Sequence, residues 1–145
     1  MSERTVKVLR PGDDRKVVHG AGDDYAFLAT GAETAGGYFL VDSVVPPGAG
    51  PPPHIQRNHE EAFYVLEGAL VFRAGGQRVE AGPGTFLNVP AGVAHHFKHE
   101  SEETARLLFW FTPAGLEEMI ERMAADPDNY ETIGSEYGVE FVEEA

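Results

Sequence analysis

The chain has 145 residues, enough for one domain with one hydrophobic core, and it carries 24 acidic against 11 basic residues. The resulting formal charge of −13 repels phosphate, so nucleic acids and anionic membranes are excluded as expected partners. The chain has no cysteine, which excludes disulfides, thiol catalysis, iron–sulfur clusters and cysteine-based zinc sites. The sequence shows neither a leader that would predict export nor an apolar run near twenty residues that would predict membrane insertion, so a cytoplasmic protein is expected.

The first third of the chain is predicted to form four strands. Seventeen glycines and ten prolines separate short apolar runs, a composition that favours an all-β body with tight corners. The strands are expected at residues 5–9, 16–19, 25–29 and 38–45, with a turn at 20–24 and a loop at 31–37. Alternation in the fourth strand gives apolar side chains on both faces, so both faces are expected to be covered.

The middle of the chain is predicted to contain further strands around proline and glycine corners. The proline-rich segment 46–53 is interpreted as a stiff extended crossing because proline lacks the ladder N–H; a polyproline ligand segment is the alternative. Residues 63–66 and 69–73 flank Glu67-Gly68 and are interpreted as a hairpin. More strands are predicted at 77–80, 86–89, 94–98 and 105–111, and the last should be central because it is the most apolar.

The pattern changes from strand to helix at Thr112-Pro113. Thr112 is a good N-cap and Pro113 a favoured first helical residue. An apolar stripe follows at helical spacing, formed by Leu116, Met119, Ile120 and Met123. The helix should lie against the barrel and end at residues 126–128. One further helical turn at 133–137 and a short strand or ordered tail at 139–142 are expected.

The most informative residues for function are two histidines and a glutamate placed around the strands. His54 and Glu61 lie just before and at the start of one apolar run, and His95 begins another. This pattern suggests neighbouring strands that present ligands into one cavity. Imidazole and carboxylate together suit manganese, iron, cobalt, nickel, copper or zinc.

The spacing of these residues resembles the paired motifs of the cupin superfamily. The first motif has glycine, histidine, histidine, glutamate and glycine at fixed intervals, and the second has glycine, proline, glycine, histidine and asparagine. The matching residues are Gly48, His54, Glu61 and Gly68 in the first motif, and Gly84, Pro90, Gly92 and His95 in the second. The chain departs from the family at Gln56, where the second histidine is expected, and at His99, where the asparagine is expected.

The resemblance covers roughly residues 5–142 and is to single-domain cupins similar to quercetin dioxygenases. It implies a jelly-roll barrel, the double-stranded β-helix, with a C-terminal helix. One domain over 1–145 is expected, with N-terminal strands at 1–45, a motif core at 46–111, and a helix and acidic tail at 112–145. A homodimer is also implied, because proteins of this family are often dimeric.

The resemblance further implies a site for a divalent transition metal. Its ligands would be His54, Gln56, Glu61 and His95. An amide oxygen is a weaker donor than an imidazole nitrogen, so Gln56 predicts weaker or altered metal binding, or none. His59 could compensate for Gln56 if its loop folds inward, whereas a surface position at a loop tip is the favoured interpretation.

Three functions are compatible with this site. The first is a metal-dependent oxygenase similar to quercetin 2,3-dioxygenase, in which Glu61 accepts a proton from a small enolic or aromatic substrate. The second is a non-oxygenase enzyme, such as an isomerase, cyclase or dehydratase, and the third is a small-molecule binding protein without turnover. Aromatic residues could wall an apolar cavity for a planar ligand, although core packing explains most of them: Phe63, Tyr64, Phe86, Phe97, Phe109, Trp110 and Phe111.

Overall fold

The computed structural model describes residues 4–145, which form two antiparallel sheets. The strands are β1 (Val17–Gly20), β2 (Asp23–Ala29), β3 (Phe39–Val45), β4 (His54–Gln56), β5 (Glu60–Glu67), β6 (Leu70–Ala74), β7 (Gln77–Ala81), β8 (Phe86–Val89), β9 (His95–Lys98), β10 (Ala105–Thr112) and β11 (Val139–Phe141). The helices are α1 (Gly31–Thr34), α2 (Glu117–Ala125), a 3₁₀ turn (Pro127–Asn129) and α3 (Tyr130–Glu136). The six-stranded sheet has the order β1-β2-β3-β10-β5-β8, and the five-stranded sheet has the order β11-β4-β9-β6-β7. This is the predicted all-β jelly-roll architecture with a C-terminal helix.

The core lies between the two sheets and is rich in phenylalanine. Phe63 of the six-stranded sheet packs against Phe72 and Phe97 of the five-stranded sheet, with ring centroids 5.0 and 6.2 Å apart. Strand β10 pairs with β3 on one side and β5 on the other, which confirms its predicted central position. Its alternate residues face the core, as the period of a strand requires: Ala105, Leu107, Phe109 and Phe111 are buried.

The predicted hairpin across Glu67-Gly68 is wrong. Strand β5 belongs to the six-stranded sheet and β6 to the five-stranded sheet, so the chain crosses between sheets at this point. Gly68 has a φ of +74°, and an added Cβ would lie 2.8 Å from the Cα of Ala105, so the crossing requires glycine. The hairpin of this region lies one corner later, where Gly75-Gly76 joins β6 to β7.

The expectations for residues 5–9 and 31–37 are also wrong. Residues 5–9 form no strand; this exposed segment is instead tied by an ion pair between Lys7 and Glu33. The second segment is not all loop, because it contains α1. The Glu33 carboxylate accepts hydrogen bonds from the backbone N–H and hydroxyl of Thr30, and this local capping was not identified from the sequence.

Helix α2 begins later than predicted. Thr112 is still paired with Glu60 in the sheet, the Thr112–Pro113 bond is cis, and the residue before the helix is Leu116, so Thr112 is not the N-cap. The apolar stripe is confirmed, since Leu116 and Met119 are buried and its other members pack against the core. The helix ends at Asp126 as predicted, α3 exceeds the single predicted turn, and β11 confirms the short terminal strand.

Strand β3 is fully covered on its inner face but, contrary to expectation, only in part on its outer face, where Leu40 is half-buried and Asp42 is buried. Phe39, Val41 and Val45 are fully buried, whereas Tyr38, just before the strand, and Val44 are 41% and 37% exposed. Apolar side chains therefore remain on the outer face of the six-stranded sheet. Across residues 4–145, the helices are all too short or too polar to cross a bilayer.

Candidate functional site

The two sheets bring His54, Glu61 and His95 together. His54 and His95 are direct partners across the β4–β9 pair, and their ring centroids are 4.5 Å apart. Glu61 reaches them from β5 in the opposite sheet, and its Oε1 lies 2.9 Å from Nε2 of His95. All three side chains are buried, and their ligand atoms lie within 4.8 Å of one another, which is compatible with one ion. The predicted convergence is therefore present, although two sheets supply it rather than two neighbouring strands.

Backbone carbonyls orient both imidazoles. Nδ1 of His54 lies 2.9 Å from the carbonyl oxygen of Pro52, and Nδ1 of His95 lies 3.0 Å from that of Val93. A proton on each Nδ1 would donate to these carbonyls and leave Nε2 directed at the centre of the group. Outer hydrogen bonds of this kind are what fix histidine ligands in metal sites.

Gln56 completes the group with an amide in place of an imidazole. Its Nε2 donates to Glu61 Oε1 at 3.0 Å and lies 3.2 Å from Nε2 of His54. The side chain is almost fully buried, so it cannot turn to solvent without breaking these contacts. A half-turn of the amide exchanges its nitrogen and oxygen, and the oxygen then faces the same centre. Two imidazoles, a carboxylate and this oxygen form a donor set that suits a divalent transition metal.

The two histidines have opposite pKa shifts. Burial, followed by the positive charge of His95, lowers the pKa of His54 to about 4, so His54 is neutral near pH 7. Burial alone would also lower the pKa of His95, but the hydrogen bond to Glu61 and its negative charge outweigh burial and raise it. The pair therefore combines a neutral acceptor with a histidine that readily carries a proton.

The other histidines do not join this group. His59 is buried rather than at a surface loop tip, and it packs beside Gly115 and Phe111 outside the cavity, so it does not compensate for Gln56. His99 is also buried; its Nδ1 accepts a hydrogen bond from the N–H of Ser101, and it lines neither the cavity nor the surface. Glu60, the neighbour of Glu61, is exposed and bonded to Asn88, as the alternation of a strand predicts.

A cavity of about 330 Å³ adjoins the three converging side chains. Four of the aromatic residues considered from the sequence line it: Phe63, Phe97, Phe109 and Phe111. The other three, Tyr64, Phe86 and Trp110, do not. Helix α2 contributes Met119, Ile120 and Met123, so its apolar stripe walls the cavity as well as packing on the core. Among the described residues, no lysine or arginine lines it.

Sequence reasoning missed a second polar pair at this cavity. Tyr25 of β2 lines the cavity, and its hydroxyl donates to Oδ2 of Asp23 at 3.2 Å. Burial raises the pKa of Asp23 to about 7, with the Tyr25 hydrogen bond opposing and the charge of Asp24 adding to the shift. The period of two in β2 places both residues on the face of buried Phe27, and that alternation was the available signal.

Comparison with known proteins agrees with this architecture. The family model for the Cupin domain matches residues 41–111. Over 121 residues the chain is 32% identical to quercetin 2,3-dioxygenase of Bacillus subtilis (strain 168), a match that covers 83% of this chain but only 35% of that enzyme.

Solved structures show the same fold at lower identity. An RmlC-like cupin from Shewanella frigidimarina is 21% identical with a TM-score of 0.67, over 81% of this chain and 100% of that one. Ectoine synthase from P. lautus is 20% identical with a TM-score of 0.65, over 95% of this chain and 89% of that one. These two likenesses concern the fold.

The buried Asp23 predicts a specific pH dependence of stability. Its pKa of about 7 in the fold exceeds the ordinary value of 3.8, so the stability contributed by its neutral form is complete below about pH 4 and lost as pH rises through 7. Relative to Asp23→Asn, the free energy of unfolding of the wild type should fall by up to about 4 kcal/mol between pH 4 and 8, since each unit of pKa difference corresponds to about 1.4 kcal/mol. Urea unfolding across this range measures the difference. Asp14→Asn, at an exposed position, is the control, and parallel curves for wild type and Asp23→Asn would refute the assignment.

Proposed function

Because the chain belongs to the cupin superfamily, we propose that it is a cytoplasmic, metal-dependent oxygenase similar to quercetin 2,3-dioxygenase. Its substrate would be a small enolic or aromatic compound. The observation that carries this proposal is the convergence of His54, Glu61 and His95 beside an aromatic-walled cavity. The similarity to the Bacillus enzyme supports the reaction class, although the match covers only 35% of that enzyme.

The metal would be held by the four residues that surround one point. His54 and His95 would offer Nε2, Glu61 a carboxylate oxygen, and Gln56 its amide oxygen after the half-turn described above. A bound divalent ion supplies Lewis acidity, which lowers the pKa of a substrate hydroxyl and orients it. Nickel, manganese, iron, cobalt, copper and zinc all suit such donors, and this donor set does not choose among them.

Glu61 is the residue placed to move a proton. Its Oε1 faces Nε2 of His95 at 2.9 Å, and before the half-turn of the amide it accepts a hydrogen bond from Gln56 at 3.0 Å, so the carboxylate lies at the point where the four side chains meet. A substrate hydroxyl beside it could give its proton to Glu61, which acts as general base.

The cavity selects the substrate class. Its volume of about 330 Å³ lies at the lower end of the range for small-molecule sites. Four phenylalanine rings and the methionines of α2 form apolar walls that exclude water and fit a planar ring. No lysine or arginine is among the described lining residues, so apart from the proposed metal and the histidines the walls offer no positive charge, which favours an uncharged aromatic compound.

Metal binding tests the ligand assignment. Wild type incubated with nickel, manganese, iron, cobalt or copper should retain one divalent ion per chain, measured by elemental analysis after dialysis. Gln56→His should bind the metal roughly tenfold more tightly, because imidazole is the stronger donor. The metal affinity of His95→Ala should be at least about tenfold weaker than that of the wild type. Glu60→Gln, at an exposed position beside Glu61, should match wild type. A wild type that stays empty with all five metals while Gln56→His loads would count against the oxygenase.

Oxygen uptake with quercetin tests the reaction itself. The metal-loaded protein should consume oxygen only when quercetin is present, and Glu61→Gln should slow this roughly hundredfold, the effect of losing a general base. Glu60→Gln is again the matched control. No uptake by the loaded wild type would favour an isomerase, cyclase or dehydratase, and tight quercetin binding without turnover would favour a binding protein.

We also infer a homodimer formed through the outer face of the six-stranded sheet. The register places Phe86, Tyr64 and Leu108 side by side across β8, β5 and β10. Trp110 packs against Phe86, with their ring centroids 6.1 Å apart. Phe86 and Tyr64 are 55% and 39% exposed, so this row is an uncharged strip on a chain with a charge of −13. Two copies would repel elsewhere and could meet on this strip, the same patch on each.

Light scattering after size exclusion measures the oligomer. Wild type should elute as a dimer, and Phe86→Glu should be a monomer because it places two like charges in the contact. Val8→Glu, which changes an exposed valine on the N-terminal segment, should remain dimeric. A monomeric wild type, or a dimeric Phe86→Glu, would contradict this interface.

A further inference from the structure

Two polar centres lie at one apolar cavity, and the proposed function uses only one of them. Tyr25 lines the same cavity as the group of His54, Glu61 and His95. Its ring packs edge-on against Phe109, with centroids 5.7 Å apart, which fixes the direction of the phenol. Burial, the charge of Asp23 and its hydrogen bond raise the pKa of Tyr25, and the charge of Glu61 adds to the shift.

The buried carboxyl of Asp23 orients the Tyr25 hydroxyl through a hydrogen bond. The carboxyl is 1% exposed, and its Oδ2 accepts a hydrogen bond from the Tyr25 hydroxyl, with the two oxygens 3.2 Å apart. Within residues 4–145 its other oxygen, Oδ1, has no hydrogen-bond partner. A carboxyl buried with one unpaired oxygen is costly to the fold, since each unsatisfied group of this kind costs about 1–3 kcal/mol or more. The packing of an apolar core does not explain why β2 keeps it.

The direction of this hydrogen bond determines what the phenol can recognise. Since the Tyr25 proton is directed to Asp23, the lone pairs of the phenol oxygen remain available to a donor. A ligand hydroxyl can donate to that oxygen, whereas a hydrocarbon edge at the same place would leave it without a partner. A buried polar group left unpaired in this way discriminates strongly between ligands.

We propose that Tyr25 is a second binding residue, which accepts a hydrogen bond from a hydroxyl group of an aromatic ligand, and that Asp23 is the positioning residue that orients it. The assignment of Tyr25 rests on the proposed function in one respect, namely that the cavity binds an aromatic compound. The ligand class becomes an aromatic ring with two oxygen substituents, one directed at the group of His54, Glu61 and His95 and the other at Tyr25. Such a ligand spans the cavity from β4, β5 and β9 to β2.

Two probe pairs test this assignment. Phenol and toluene have the same number of non-hydrogen atoms and differ by a hydroxyl group in place of a methyl group, and quercetin carries five hydroxyl groups that flavone lacks. Dissociation constants are measured by protein-observed NMR for the small pair and by calorimetry for the flavonoids. The wild type should prefer the hydroxylated member of each pair, and Tyr25→Phe should reduce that preference roughly tenfold, the effect of one lost hydrogen bond. Affinity for toluene and flavone should not change.

Matched variants separate binding from folding. Tyr64→Phe removes a half-exposed tyrosine hydroxyl on the outer face of the sheet and should keep the wild-type preference. Asp23→Ala should lose the preference, and Asp23→Asn, which retains an acceptor oxygen, should restore most of it. If Tyr25→Phe unfolds because Asp23 is left without its donor, the double variant Asp23→Asn, Tyr25→Phe replaces it, with thermal unfolding as the check on integrity.

The outcomes distinguish this proposal from the proposed oxygenase. Loss of the phenol preference in Tyr25→Phe, together with no quercetin binding or oxygen uptake in wild type, would support the second binding residue and reject the oxygenase. An unchanged phenol-to-toluene ratio in folded Tyr25→Phe would overturn the second binding residue even if quercetin is consumed. A wild type that binds neither probe pair, or binds them without preference, would overturn it as well.

Discussion

The structure depends on one polar contact between the two sheets. Glu61 comes from the six-stranded sheet, whereas His54, Gln56 and His95 come from the five-stranded sheet. Burying these four side chains in an apolar interior would be unfavourable if each were alone, because an unpaired buried polar group costs several kcal/mol, roughly 2–7 depending on the reference state. They are kept there by mutual hydrogen bonds and by backbone carbonyls behind the two imidazoles.

The rest of the chain maintains this contact and the space beside it. The crossing at Gly68 puts β5 and β6 in different sheets, so that β5 faces β4 and β9 rather than pairing with its neighbour in sequence. Strand β10 pairs with β5 along its length, which fixes the height of Glu61 in the barrel. Helix α2 and β11 enclose one side of the cavity, and β11 also pairs directly with the strand that carries His54.

The sequence predicted the convergence of three side chains better than it predicted the connections between strands. Fixed spacing identified His54, Glu61 and His95, because the intervals within each motif can be read along the chain without knowing which strands pair. Thr112 was misassigned as an N-cap because local capping preference competes with pairing to Glu60, and only the sheet reveals that partner. Residues 5–9 alternate like a strand but find no sheet partner, and the turn chemistry of Glu67-Gly68 does not say whether the chain returns to the same sheet or crosses to the other.

Buried polar residues at positions that the motifs do not specify were the hardest to place. His59 has a sequence context typical of an exposed loop, yet long-range packing on Gly115 buries it, which no short pattern encodes. Asp23 and Tyr25 stand next to a glycine turn, and their role depends on the cavity formed by strands far along the chain. The division of the chain into an N-terminal part, a motif core and a C-terminal part stays a prediction.

X-ray absorption spectroscopy of the nickel-loaded protein tests the central claim most directly, because it counts the imidazoles around the ion. The wild type should show two histidine nitrogens, with oxygens at roughly 2.0–2.2 Å as the remaining ligands, and His95→Ala should show one histidine. A first shell of oxygen alone, or an imidazole count that does not fall in His95→Ala, would show that the ion does not bind where the two sheets meet.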